Sequence, residues 1–172
     1  MRKLYAKKNQ LSTRGITLIK DEHNNAIYTL MGNWGMHRGV LSVYYINGDL
    51  SAEIKQKSLG LFPKFELYSH RKKVGSLRRY YGVSRDMLFV KGLNWFIIGN
   101  LLTFNYKVFH GRECIMTISK VELAGGDYLE FHIKYEDDEA LCLCVAAILD
   151  YWARSGKKSA VKNDFWSLSP GV

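Results

Sequence analysis

The sequence predicts a mainly β protein: a closed antiparallel barrel of about twelve strands enclosing one C-terminal apolar α-helix. Three observations carry that expectation. Short runs rich in Val, Ile, Tyr, Phe and Leu recur along the chain between turn residues, with only two prolines, Pro63 and Pro170, and 15 scattered glycines. Residues Ala140 to Leu149 are apolar without interruption, so a helix there has no polar face and must be buried all round. The chain has 172 residues and is 47% hydrophobic, which suits one domain at roughly 150 residues per domain. A single domain with one helix has only its own sheet to surround that helix. Eight strands are filled by their own side chains, whereas about eleven enclose a helix, so a count near twelve is self-consistent.

Period-two alternation and turn residues place the strands in order near Lys3 to Lys7, Ile16 to Lys20, Ala26 to Met31, Val40 to Ile46, Leu50 to Lys57 and Lys64 to Tyr68. The remaining six fall near Lys73 to Tyr80, Asp86 to Lys91, Trp95 to Gly99, Leu102 to Phe109, Cys114 to Val121 and Tyr128 to Lys134. Asn47-Gly48 is the strongest two-residue hairpin signal. Glu22 to Asn25, Gly111-Arg112-Glu113 and Gly125-Gly126-Asp127 supply further turns. Three hairpins, Val43 to Lys57, Phe65 to Arg79 and Tyr106 to Lys120, form a weak internal repeat that speaks for architecture alone.

The helix is expected near residues 138 to 154. Glu136, Asp137, Asp138 and Glu139 complement its positive N-terminal end, and Asp137 or Asp138 can accept the free N–H groups of the first turn. Arg154, Lys157 and Lys158 suit the other end, with Gly156 as terminator. The domain therefore spans residues 1–155, with a tail over 156–172.

Up-and-down hairpins ahead of one apolar C-terminal helix resemble the tubby C-terminal-like superfamily, and within it the bacterial members of the LURP-one-related family, which is also similar to phospholipid scramblases. The matching residues are Tyr5 and Lys7, Ile54-Lys55-Gln56-Lys57, Trp95-Phe96-Ile97-Ile98-Gly99-Asn100, Ile118-Ser119-Lys120, Gly126-Asp127-Tyr128 and a helix reaching Asp150. Asn100 stands where Asp is expected. The resemblance covers Met1 to about Ala153 and implies a twelve-stranded barrel around a central helix. Tubby domains within the superfamily bind phosphoinositides.

With 25 Lys and Arg against 16 Asp and Glu, the formal charge is +9, which favours an anionic partner. The acid-free window from Leu67 to Arg85 is the densest basic stretch and carries the candidate anion-binding residues Arg71, Lys72, Lys73, Arg78, Arg79 and Arg85. A second acid-free stretch, Met1 to Lys20, adds Lys7 and Lys8, and the glycine-flanked segment around Trp34 adds Arg38, as secondary candidates. A solvated face that only maintains solubility is the competing explanation of such runs.

Other chemistry finds less support. Three cysteines, an odd number, argue against a disulfide framework and fit a reducing compartment. Cys142 and Cys144 would sit about 200° apart on a helix and cannot share a metal. The histidines His23, His37, His70, His110 and His132 lack metal-ligand spacing, and GxSxG, HExxH, GxGxxG and GxxxxGK[ST] are all absent. No enzymatic activity, metal or cofactor is expected. No apolar run reaches the length of about 20 residues that a membrane span requires, and the basic N-terminus has no apolar stretch behind it. The expectation is a cytoplasmic, non-enzymatic binding module, peripheral at the inner membrane surface, whose basic face engages acidic phospholipid or phosphoinositide-like headgroups. The alternatives are nucleic-acid binding through the same cations, with Tyr80, Tyr81 or Trp34 stacking on bases, and a protein-interaction scaffold.

Overall fold

A computed structural model describes residues 1–11, 15–32, 39–58, 63–81, 86–100 and 102–166, the side chains of 80, 81, 86 and 155–166 excepted. Its strands are β1 (Arg2–Lys7), β2 (Gly15–Asp21), β3 (Ala26–Gly32), β4 (Val40–Tyr45), β5 (Leu50–Gln56) and β6 (Phe65–Ser69). They continue with β7 (Lys72–Tyr81), β8 (Asp86–Lys91), β9 (Trp95–Asn100), β10 (Asn105–His110), β11 (Glu113–Leu123) and β12 (Gly126–Ile133). A 3-10 turn (Glu136–Asp138) leads into helix α1 (Glu139–Trp166). Each strand pairs antiparallel with its sequence neighbours, and β1 pairs with β12 from Arg2↔Ile133 to Lys7↔Tyr128, closing the barrel.

Alternation decides which side chains face inward. Along β1, Leu4 and Ala6 are buried while Lys3 and Lys7 are exposed, and along β12 Leu129, Phe131 and Ile133 fill the interior. Every residue of α1 from Ala140 to Leu149 is buried, and the helix packs closest to β4, β5 and β6. Burying a Leu, Ile or Val side chain contributes about 1.5–3 kcal/mol, so this segment and the wall around it form one continuous core. Asp21 organises the β2–β3 turn by accepting the His23 and Asn25 N–H groups at 2.9 and 2.8 Å. At Asn47-Gly48 the Asn47 side chain accepts the Asp49 N–H at 3.0 Å, and Gly48 takes φ +93°.

Two boundaries differ from the sequence expectation by more than two residues. Strand β10 begins at Asn105 and not at Leu102, because the Asn100 carboxamide oxygen accepts the N–H groups of Leu102 and Thr103 and curls the chain into a turn. Helix α1 does not stop at Gly156 but runs to Trp166. One glycine costs a helix about 1 kcal/mol relative to alanine, and no proline follows before Pro170.

The up-and-down topology gives the barrel two distinct ends. The first residue of α1 enters beside the β2–β3, β4–β5, β6–β7, β8–β9 and β10–β11 turns, and the helix leaves through the opposite, helix-exit end. One seam is short: β1 and β2 pair only at Leu4↔Asp21 and Tyr5↔Lys20, then diverge toward the helix-exit end.

Candidate anion-binding site

Strands β6 and β7 turn the basic window from Leu67 to Arg85 into a hairpin that runs the length of the barrel, so its cations do not gather at one point. At its tip, with His70 and Arg71 at φ 46° and 67°, Arg71 and Lys72 are exposed at the helix-entry end. Arg78 lies about 16 Å further along β7, five residues past Lys73 at about 3.3 Å each, and is exposed toward the helix-exit end. Arg79 alternates inward. Its guanidinium lies 4.8 Å over the ring of Trp152 on α1, half-buried, and so belongs to the packing of the barrel mouth more than to its outer face. Arg38 and Arg85 lie outside the described residues.

A register shift between Leu67 and Tyr68 leaves Val74 without a partner in the β6–β7 ladder and turns Lys73 to the outer face. There its ammonium donates to Glu66 at 2.6 Å. Glu66 is nearly buried beneath Lys57 at 3.5 Å, Lys64 at 3.8 Å and the Tyr68 hydroxyl at 2.8 Å. Hydrogen bonds from Lys73 and Tyr68 hold its carboxyl at about 2, so it remains anionic at neutral pH. One carboxylate thus faces three lysines, and the cluster keeps a net positive charge. Lys55 joins it at the edge, 4.5 Å over the Tyr68 ring and 3.5 Å from Glu53.

The secondary candidates lie across the barrel, since five strands separate β1 from β7 in either direction. Lys7 is exposed on β1, while Lys8 pairs with Asp127 at 2.9 Å. The two basic runs therefore share no side, but they do share an end. At the helix-exit end, Lys7, Lys8, Lys57, Lys64, Arg78, Lys120 and Arg154 are set against Glu66, Glu122, Asp127 and Asp150 among the described side chains. At the helix-entry end, Asp21, Glu22, Asp49, Glu113, Glu136, Asp137, Asp138 and Glu139 balance Arg2, Lys3, Lys20, Arg71, Lys72, Lys91, Arg112 and Lys134. Reading by local windows missed Lys57 and Lys64, which flank the β5–β6 connection. Strand direction was the signal that could have placed them beside Arg78.

Beside this basic end, apolar side chains point outward. Ile16 and Leu18 on β2 are 66% and 46% exposed, and Leu123 on the β11–β12 hairpin is 45% exposed. They border an open groove of about 530 Å³ over the β1–β2 seam, with Tyr5, Lys7 and Tyr128 also on its walls and floor. Tyr5 donates a 2.8 Å hydrogen bond to Glu130, and burial, reinforced by that bond, pushes its phenol up to about 12.

The LURP-one-related family model matches residues 2–150. The chain is also similar to the uncharacterized protein YxjI of Bacillus subtilis (strain 168), 27% identical over 150 residues, covering 87% of this chain and 93% of that protein. No solved structure matches it significantly. The chain belongs to the LURP-one-related family.

Proposed function

We propose that this LURP-one-related chain is a non-enzymatic binding module that docks the helix-exit end of its barrel on acidic phospholipid headgroups, in the cytoplasm and peripherally at the inner membrane surface. The observation that carries the reading is the placement of Lys7, Lys57, Lys64 and Arg78 at one end of the barrel, next to outward-facing Ile16 and Leu123. Each Lys or Arg near an anionic membrane contributes about 1 kcal/mol, so four such cations give weak, reversible attachment. Exposed apolar groups beside them favour a lipid surface over a nucleic acid, whose phosphate backbone has nothing to receive them. The resemblance to tubby domains, which bind phosphoinositides, points the same way. No helix among the described residues is long and apolar enough to cross a membrane, and attachment through surface charge needs none.

The experiment compares two variants in sedimentation with phosphatidylserine-containing vesicles. Replacing Lys57, Lys64 and Arg78 by Ser lowers binding at least tenfold, while replacing Arg71 and Lys72 by Ser at the far end changes it little. The Arg71 and Lys72 variant keeps the parent melting temperature, and the triple variant stays folded with only a small decrease, because Lys73 and Tyr68 still hydrogen-bond Glu66. Equal losses from the two ends contradict docking by one end. Loss of oligonucleotide binding by the triple variant, from a parent indifferent to vesicles, transfers the basic end to nucleic acid.

A further inference from the structure

The groove over the β1–β2 seam sets apolar walls around a cation. Ile16 and Leu18 turn apolar groups out, as Met87, Phe89, Phe96, Ile98 and Phe109 do on β8 to β10, but at the seam the β11–β12 hairpin brings Leu123 and Tyr128 to face them across an open groove. Lys7 lies on β1 between these walls, exposed, in the stretch where β1 and β2 have ceased to pair. An ammonium set between apolar walls is matched by an anion carrying an apolar body.

The groove is also polarised along its length. Lys7 and Ile16 are at the helix-exit end, whereas Asp21 and Glu22 line the other end, about 17 Å away along β2 at roughly 3.3 Å per residue. Asp21 is consumed by the His23 and Asn25 N–H groups, and Lys20 donates to the Asn24 carboxamide at 2.8 Å. This leaves Lys7 as the cation aimed into the groove and fixes the direction of an anionic guest. The volume of about 530 Å³ falls within the range of about 300–1,000 Å³ found for small-molecule sites.

We propose that this groove binds a single acyl chain with an anionic head, the head on Lys7 and the chain against Ile16, Leu18 and Leu123. The proposal rests on the reading of an acidic-lipid module but uses residues apart from the Lys57, Lys64 and Arg78 cluster. A carboxylate and a phosphate monoester share the required chemistry, so the probes are submicellar oleate and lysophosphatidate, with monoolein as the uncharged control. Isothermal titration of the parent protein gives saturable one-to-one binding of one or both anionic probes, and monoolein binds at least tenfold more weakly. Leu18→Glu, Ile16→Glu and Lys7→Met each weaken anion binding at least tenfold, with melting temperatures unchanged because all three positions are exposed. The Lys57, Lys64 and Arg78 triple variant keeps oleate binding while losing vesicles, which separates failure of the groove from failure of membrane docking. Absence of saturable binding by either anionic probe, equal binding of monoolein, or undiminished binding by Leu18→Glu and Ile16→Glu overturns the proposal.

Discussion

The Tyr28 hydroxyl donates a 2.7 Å hydrogen bond to Oε2 of Glu139, joining the β3 wall of the barrel to the first residue of the helix inside it. Arg2 of β1 approaches the same oxygen at 3.3 Å, so the first strand, the third strand and the helix meet at one buried carboxylate. Its other oxygen, Oε1, is buried with no hydrogen-bond partner among the described residues. Burial is the largest influence on Glu139 and raises its pKa, against the opposing pull of Tyr28 and Arg2.

A raised pKa in the folded state means that Glu139 supports stability most fully below its unfolded value of about 4.5 and loses that contribution as pH rises. Glu139→Gln keeps an acceptor for Tyr28 without the charge. The melting-temperature difference, variant minus parent, therefore increases between pH 4.5 and pH 8. Tyr28→Phe withdraws a donor from a buried charged group and lowers stability by about 1.5–3 kcal/mol, more at pH 8 than at pH 4.5. A difference for Glu139→Gln that stays flat or falls with pH contradicts this assignment.

Glu66 has the opposite sign. Its folded pKa is lowered to about 2, so its contribution is full above about 4.5 and fades as pH falls toward 2. Glu66→Gln is destabilising at pH 7, and chemical denaturation at a series of pH values shows parent and variant converging as pH falls through that interval. Convergence already complete at pH 5 places the lysine cluster elsewhere.

The helix segment 140–149 offers no place for a charge. Val145→Lys or Ala146→Asp puts an unpaired charge among residues that are 0% exposed and abolishes soluble folded protein, a loss above about 4–5 kcal/mol. A milder readout uses the native thiols. Cys142 and Cys144 are fully buried, and burial raises both thiol pKa values, so they label slowly in the native protein and rapidly after denaturation. Fast native labelling at either position, or a folded Val145→Lys variant with the parent melting temperature, contradicts the central-helix architecture.

The barrel was legible because its evidence is periodic. Leu4 and Ala6 on β1, or Phe131 and Ile133 on β12, alternate with outward residues over whole strands, and the unbroken apolar run from Ala140 admits only an enclosed helix. The basic site was legible in part. Counting charge along the chain placed Arg71, Lys72, Lys73 and Arg78 in one window, but a strand carries neighbours in sequence to opposite ends of a barrel. It also carries Lys57 and Lys64, distant from Arg78 in sequence, to the same end. Arg79 turned inward onto Trp152 by the parity of β7, and Lys73 turned outward through a register shift that no local signal announces. The seam groove had no sequence signature either, since Ile16 and Leu18 look like core residues until the register assigns their faces.

The central claim is that the helix-exit end of this barrel meets an anionic lipid surface. The most direct measurement is sedimentation of the parent protein with phosphatidylserine-containing and with purely zwitterionic vesicles across a salt series, alongside a labelled oligonucleotide. The account predicts association with the acidic vesicles that weakens steadily as salt rises, little association with zwitterionic vesicles, and weaker binding to the oligonucleotide than to acidic vesicles at the same salt. Failure to associate with acidic vesicles even at low ionic strength contradicts it.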